Sequence, residues 1–284
     1  MATSVARARA VPAHAYFAGS AVFHYLGPAF AVLLFARVDV LGVAWLRIAS
    51  AALVFATWRR PWQAAARLDR AGKRTLVALG CTLAVMNCCF YEAIDRLPLG
   101  TVAAIEFLPV IMLAAAGVRT VRNGIALALA AAGVYVLTDV RIAGEPLGFA
   151  FAFANAGLFA LYIVLAHRVA QQLGGVDGLG ASMLVAAMAV TPIAGWAAVP
   201  ALVDPVGLAA GVGVGVCSSV IPYVCDQLAM ARLPRATYAL LVSLLPATAT
   251  LIGVVVLTQL PSVAETAGVA LVVLGVAAHG ERPG

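Results

Sequence analysis

One carboxylate stands out for its surroundings. Glu106 falls inside the apolar run 87–113, NCCFYEAIDRLPLGTVAAIEFLPVIML, with Pro109 three residues after it. Placing a charged side chain at the centre of a membrane helix costs roughly 2.5–3.5 kcal/mol on insertion scales, so a residue that persists there is expected to have a task. Such a carboxyl can bind and release a proton, or pair with a ligand's ammonium. Arg47 carries a guanidinium into a second apolar run, and its planar fork matches a carboxylate bidentately. Asn87 offers an amide that can hydrogen-bond a ligand or a neighbouring helix. Each of the three lies about seven residues from the same end of its helix, or ~10 Å deep at 1.5 Å per residue. They therefore read as one layer. The competing readings are a carboxylate pinned by a neighbouring helix, an arginine tied to backbone carbonyls, and an amide that only joins two helices.

A second tier surrounds them. Asn155 and Tyr223 are expected on the same pathway, and His24, one turn before Pro28, can serve a proton relay or simply pack. Asp226 suits an inner gate, or alternatively a helix-end cap facing Arg232. Tyr91, Tyr162, Tyr223 and Tyr238 are amphipathic rings, several of them suited to the interfacial belt. Glu92 and Asp95 read as solvated helix ends. Pro28, Pro109, Pro192, Pro222 and Pro246 are expected to interrupt helices, each freeing a carbonyl four residues earlier. Pro109, Pro246 and Pro222 form, with Asp226, the candidate gate and hinge set. Glycine clusters at 124–133 and 211–215 are expected to allow close helix packing; no GKS or GKT follows to make either a phosphate loop.

The elements that must hold these residues follow from composition. Hydrophobic residues make up 64% of the 284 positions and charged residues 11%, far from the soluble average. The expected fold is an all-α polytopic membrane protein. Runs long enough for a ~30 Å hydrocarbon core give ten transmembrane helices, at 14–36, 40–58, 75–94, 99–118, 123–138, 147–166, 178–199, 206–228, 237–257 and 263–279. The segment 58–74 reads as a loop of basic and small residues. The net charge of +6 does not indicate nucleic acid, because the basic residues sit in short segments between apolar runs. The five cysteines lie within apolar runs and show no zinc spacing, so neither metal nor cofactor is expected. With the N-terminus placed in the cytoplasm, fourteen of the 18 lysines and arginines fall on that side, only Arg37, Arg96 and Arg141 fall outside, and Arg47 lies within a helix. That predicts a multi-pass cytoplasmic (inner) membrane protein with both termini cytoplasmic. AHA at 13–15 precedes the first apolar run, so a retained first helix is expected over a cleaved signal.

An internal repeat refines this. At an offset of 136, Cys81 matches Cys217, Cys89 matches Cys225, and Arg96-Leu97-Pro98 matches Arg232-Leu233-Pro234. Thr101 and Thr237, and Ala103 and Ala239, continue the match. Five helices per copy force opposite orientations, which predicts two inverted five-helix repeats, 1–142 and 143–284, with a site between them near mid-membrane.

The residues also resemble a family. Met86-Asn87 with Phe90-Tyr91, Pro98-Leu99-Gly100 and Ala104-Ile105-Glu106-Phe107 look like the first-half signature of the EamA-like drug/metabolite transporters. Leu46-Arg47, Pro61-Trp62, Pro222-Tyr223 and Arg232-Leu233-Pro234 resemble its threonine and homoserine exporter branch. The likeness runs from about residue 15 to 278. The chain departs from that pattern at Leu245, where a glutamate usually precedes the proline, at Thr258-Gln259, where a Gly-Glu pair usually closes the helix, and at Glu92, usually neutral.

The resemblance implies a secondary transporter. Its expected substrate is a small amino acid of the threonine/homoserine kind, or a related metabolite, exported by proton antiport with alternating access. Uptake or facilitated transport of another small metabolite or drug-like cation is the alternative. The expected partners are a small-molecule substrate, a proton and membrane lipid, with monomer and homodimer both open. An intramembrane enzyme is disfavoured: HExxH, paired intramembrane aspartates and a Ser/His pair at motif spacing are all missing.

Overall fold

The computed structural model describes residues 12–117, 120–141, 145–230, 232–233, 238 and 241–278, and among these there is no strand. Local chemistry sets the helix boundaries. Helix α1 (Ala13–Leu34) starts after Pro12. Asp39 caps α2 (Val40–Arg59) by accepting from the Leu41 N–H at 2.9 Å. Arg60, at φ 48°, ends α2 and leads through Pro61 into a short α3 (Pro61–Ala66). A helix therefore stands where a plain basic loop was expected, because a proline at the first position preorganises the turn. Asp69 caps α4 (Arg70–Arg96), which stops at Leu97, held extended by Pro98. Helix α5 (Leu99–Gly117) and α6 (Val121–Arg141) follow.

The second part continues with α7 (Pro146–Leu173), closed by Gly174 at φ 80°, and α8 (Gly175–Ala194). A 3-10 turn, Gly195–Ala198, and a short α9 (Val199–Val203) lead to Asp204, which caps α10 (Pro205–Gly215). A π-helical turn, Val216–Val220, joins α10 to α11 (Ile221–Met230). The last helices are α12 (Leu245–Leu257) and α13 (Val263–Ala278); Ser262 and Glu265 form a reciprocal capping box at the start of α13. Pro246 is the second residue of α12 and so opens that helix instead of interrupting it, contrary to expectation; a first-turn proline forfeits no helical hydrogen bond. Arg232 and Leu233 of the second Arg-Leu-Pro turn are described, whereas Pro234, Thr237 and Ala239 lie outside the described residues, as do both termini.

Among the described residues six segments are long and apolar enough to cross a membrane: α1, α2, α4, α7, α8 with its continuation, and α10–α11 through the π turn. Shorter apolar stretches lie in α5, α6, α12 and α13. Large apolar side chains face outward along them, among them Leu53, Met188, Leu251 and Val255, each more than half exposed. Water would penalise that surface and lipid does not, so the chain is a membrane protein.

Packing orders the bundle. Helix α4 lies against α7 and α8; α1 lies against α10, the π turn, α11 and α12; α2 lies against α8 and α10. Helix α6 packs on α13 at a small-residue crossing, where Gly133, Gly268 and Gly275 each abut backbone of the other helix. At one end of the bundle Arg59 pairs with Asp177 at 2.8 Å, and Arg232 lies over the Tyr16 ring. At the other end Gln259 accepts from the Leu99 N–H at 3.1 Å, and Phe35 packs edge-on against Tyr91.

Candidate functional site

The site is assembled where three helices come unusually close. Gly211 packs on the Leu46 side chain, and Gly215 packs on the Ser50 side chain and the Arg47 carbonyl, so the glycine face of α10 lets it come close to α2. Gly27 of α1 packs directly on Ser218 of the π turn. Pro222 has no N–H to offer the carbonyl four residues back, which leaves Ser218 O available. Arg47 uses it: Nη2 donates to Ser218 O at 3.4 Å, and Nε donates to Ser219 Oγ at 3.0 Å. The guanidinium also lies over the Tyr91 ring, 5.5 Å from its centroid, a cation–π distance. π turns recur at functional positions, and here one holds a charge inside the bundle.

Glu106 is 7% exposed on α5. Asn155, fully buried on α7, donates from Nδ2 to Glu106 Oε1 at 3.1 Å. Arg47 is close enough for its charge to act on Glu106, yet the two do not form an ion pair among the described residues. Each charge is held by neutral groups. Three buried polar atoms at this level have no hydrogen-bond partner among the described residues: Tyr25 Oη, Tyr91 Oη and Asn155 Oδ1. Tyr25 lies within the electrostatic reach of Glu106, and the Tyr91 hydroxyl stands beside Arg47 and Ser218 without a well-formed bond. Orphaned groups are uncommon in buried positions, and each one is a potential contact for a ligand.

The other expected residues divide. Asn87 is buried, and its Nδ2 donates to Leu83 O of its own helix at 2.7 Å. His24 packs edge-on with Tyr25, ring centroids 5.1 Å apart, within range of Arg47. The Tyr223 hydroxyl lies 3.4 Å from that of Tyr162, within electrostatic reach of Arg47, Glu106 and Asp226. Asp226 is within hydrogen-bonding reach of the Ser20 and Tyr238 hydroxyls, while Arg232 stacks on Tyr16 instead of facing it. Pro109 lies inside α5, three residues beyond Glu106. Glu92 pairs with Arg96 in the last turns of α4.

Ser218, Ser219 and Tyr25 were missed in the sequence. Two serines in an apolar run are unremarkable until an arginine must be satisfied nearby; the carbonyl freed by Pro222 was the available signal. Tyr91 belongs to this layer as well, fully buried under Arg47 and not in an interfacial belt.

Comparison with known proteins places the chain in a family. The EamA-like transporter family matches residues 146–279. The threonine/homoserine exporter RhtA of Escherichia coli is 30% identical over 243 residues, covering 82% of this chain and 79% of the exporter. The protein of the same name from Salmonella typhimurium is 30% identical over 239 residues with the same coverage.

Proposed function

This chain belongs to the EamA-like transporter family, and on that premise we propose that it exports a small amino acid of the threonine/homoserine class across the cytoplasmic membrane by proton antiport. The family and the relatives point to a transporter and not to an enzyme. The observation that carries the substrate reading is the separation of charge in the buried layer. Glu106 is held by the Asn155 amide, and Arg47 by Ser219 and the Ser218 carbonyl, with no ion pair between them. Buried opposite charges that do not neutralise one another are costly, and a zwitterion satisfies both at once. Its ammonium goes to Glu106 and its carboxylate to the guanidinium fork. A side-chain hydroxyl then has Tyr25 Oη, Tyr91 Oη and Asn155 Oδ1 for partners.

Proton coupling follows from the same carboxyl. A proton and an ammonium compete for Glu106, so that release of one accompanies uptake of the other. Movement comes from two inverted five-helix halves, 1–142 and 143–284, rocking about the layer, with both termini in the cytoplasm. Helix neighbours support the repeat, because exchanging the halves maps one contact onto another. Helix α1 against the α10–α11 segment corresponds to α7 against α4. The pair α2 and α10 corresponds to α8 and α4, and α12 on α1 corresponds to α5 on α7. The contacts α2–α8, α5–α12 and α6–α13 map onto themselves.

Reconstitution in proteoliposomes tests the reading. Threonine or homoserine counterflow driven by a proton gradient is expected for the unaltered protein. Glu106→Gln keeps the shape, remains folded, and loses proton-driven transport. Undiminished gradient-driven transport by that variant would overturn the mechanism.

A further inference from the structure

A cavity of about 200 Å³ opens between α4, α7, α8 and α11, at the bundle end where Arg59 meets Asp177. Its polar lining is Tyr162, Ser182, Tyr223, Asp226 and Tyr238; the remainder is small and apolar. It is separate from the Glu106 layer, but Tyr223 belongs to both, lying within electrostatic reach of Glu106, Arg47 and Asp226. The Asp226 carboxylate has no basic partner among the described residues. Among the described residues the hydroxyls of Ser20 and Tyr238 attend it, and Arg232, the nearest cation in the sequence, is held over Tyr16. Hydroxyls fix the direction of a carboxylate without cancelling its charge.

The chemistry of such a cavity is selective. A lone carboxylate repels anions, and phenol rings attract a cation through their faces. Three tyrosines around one aspartate therefore favour a primary ammonium over a carboxylate or a neutral solute. Tyr162 and Tyr223, whose hydroxyls lie 3.4 Å apart, both line the cavity, and Tyr223 is the lining residue within electrostatic reach of Glu106.

We propose that this cavity is a second solute site, specific for the ammonium group, which receives the amino acid at one face before it reaches Glu106 and Arg47. The proposal rests on the transport reading above and adds a sidedness to it: Asp226 sets affinity at one face only.

The test uses sealed vesicles prepared in both orientations, with radiolabelled threonine as probe. Asp226→Asn conserves shape and leaves the Glu106 layer in place. Its half-saturating threonine concentration is expected to rise about tenfold from the cavity face, the size of a lost charge-assisted contact, and to change little from the other face. Tyr238→Leu, which removes a phenol ring, is expected to give the same one-sided change and serves if Asp226→Asn does not fold. An equal change at both faces, or none at the cavity face, overturns the proposal. Glu106→Gln is run alongside. If it is inactive while Asp226→Asn behaves as the unaltered protein, only the second site fails. If it retains proton-driven transport, the reading beneath both fails.

Discussion

The contact between Gly27 and Ser218 offers the sharpest single perturbation. A Cβ added at Gly27 would stand 2.5 Å from Ser218 Cβ, 2.8 Å from its backbone N and 2.9 Å from its Cα. Ordinary carbon contacts begin near 3.5 Å, so Gly27→Ala must separate α1 from the π turn by about 1 Å. No flexible side chain is available to yield, because the atoms it meets are backbone or directly attached to it. Overpacking of this kind costs about 1–3 kcal/mol, against a gain of about 0.5–1 kcal/mol from replacing a mid-helix glycine by alanine. The functional loss should exceed the stability loss. Ser218 O and Ser219 Oγ hold Arg47 from the same turn, and hydrogen bonds to a charged group contribute about 1.5–3 kcal/mol. Gly19, two turns earlier on the same face of α1, is the control. A Cβ there meets only Cys225 Sγ at 3.9 Å, an ordinary contact. Thermal unfolding in detergent should show Gly19→Ala unchanged or slightly raised and Gly27→Ala lowered. Threonine counterflow should be preserved in the first variant and reduced about tenfold or more in the second. Equal behaviour of the two alanine variants would refute the claim that the α1 contact positions the arginine.

Asn155→Ala removes the neutral donor that holds Glu106, and by the same magnitude should slow proton-driven counterflow about tenfold without abolishing expression, as initial rates in proteoliposomes would show. Thr258 stands at φ 54°, ψ 25° at the end of α12, a left-handed conformation that costs a side-chain-bearing residue roughly 1–2 kcal/mol. Thr258→Gly should therefore raise the melting temperature in detergent and leave counterflow unaltered; a lowered melting temperature would refute the strain argument.

What the sequence disclosed, and what it withheld, divides along physical lines. Glu106 and Arg47 were legible because a charge in an apolar run is conspicuous at any register. The partner of Arg47 was half legible: Pro222 announces a free carbonyl at Ser218, but only the packing of Gly27, Gly211 and Gly215 brings α2 to it. Asn87 is a case where depth along a helix says nothing about direction around it: its amide nitrogen turns back on Leu83 O. Tyr25 and Tyr91 look like any ring in an apolar run until burial strands their hydroxyls. The departures at Thr258-Gln259 acquire a local role. Thr258 takes the left-handed turn, and Gln259 Oε1 accepts the first N–H of α5, so the family's Gly-Glu position here joins two helix ends.

The π turn at Val216–Val220 also governs the azimuth of everything after it. One extra residue in a helical turn advances all later side chains by one position, about 100° around the axis. Gly211 and Gly215 face α2 on one register, and Tyr223 and Asp226 reach their cavity on another. A helical wheel drawn straight through the segment would point both residues toward the wrong neighbours. Deleting a single residue within the turn would swing the phenol and the carboxylate out of the cavity together, while leaving composition, span length and hydropathy almost untouched.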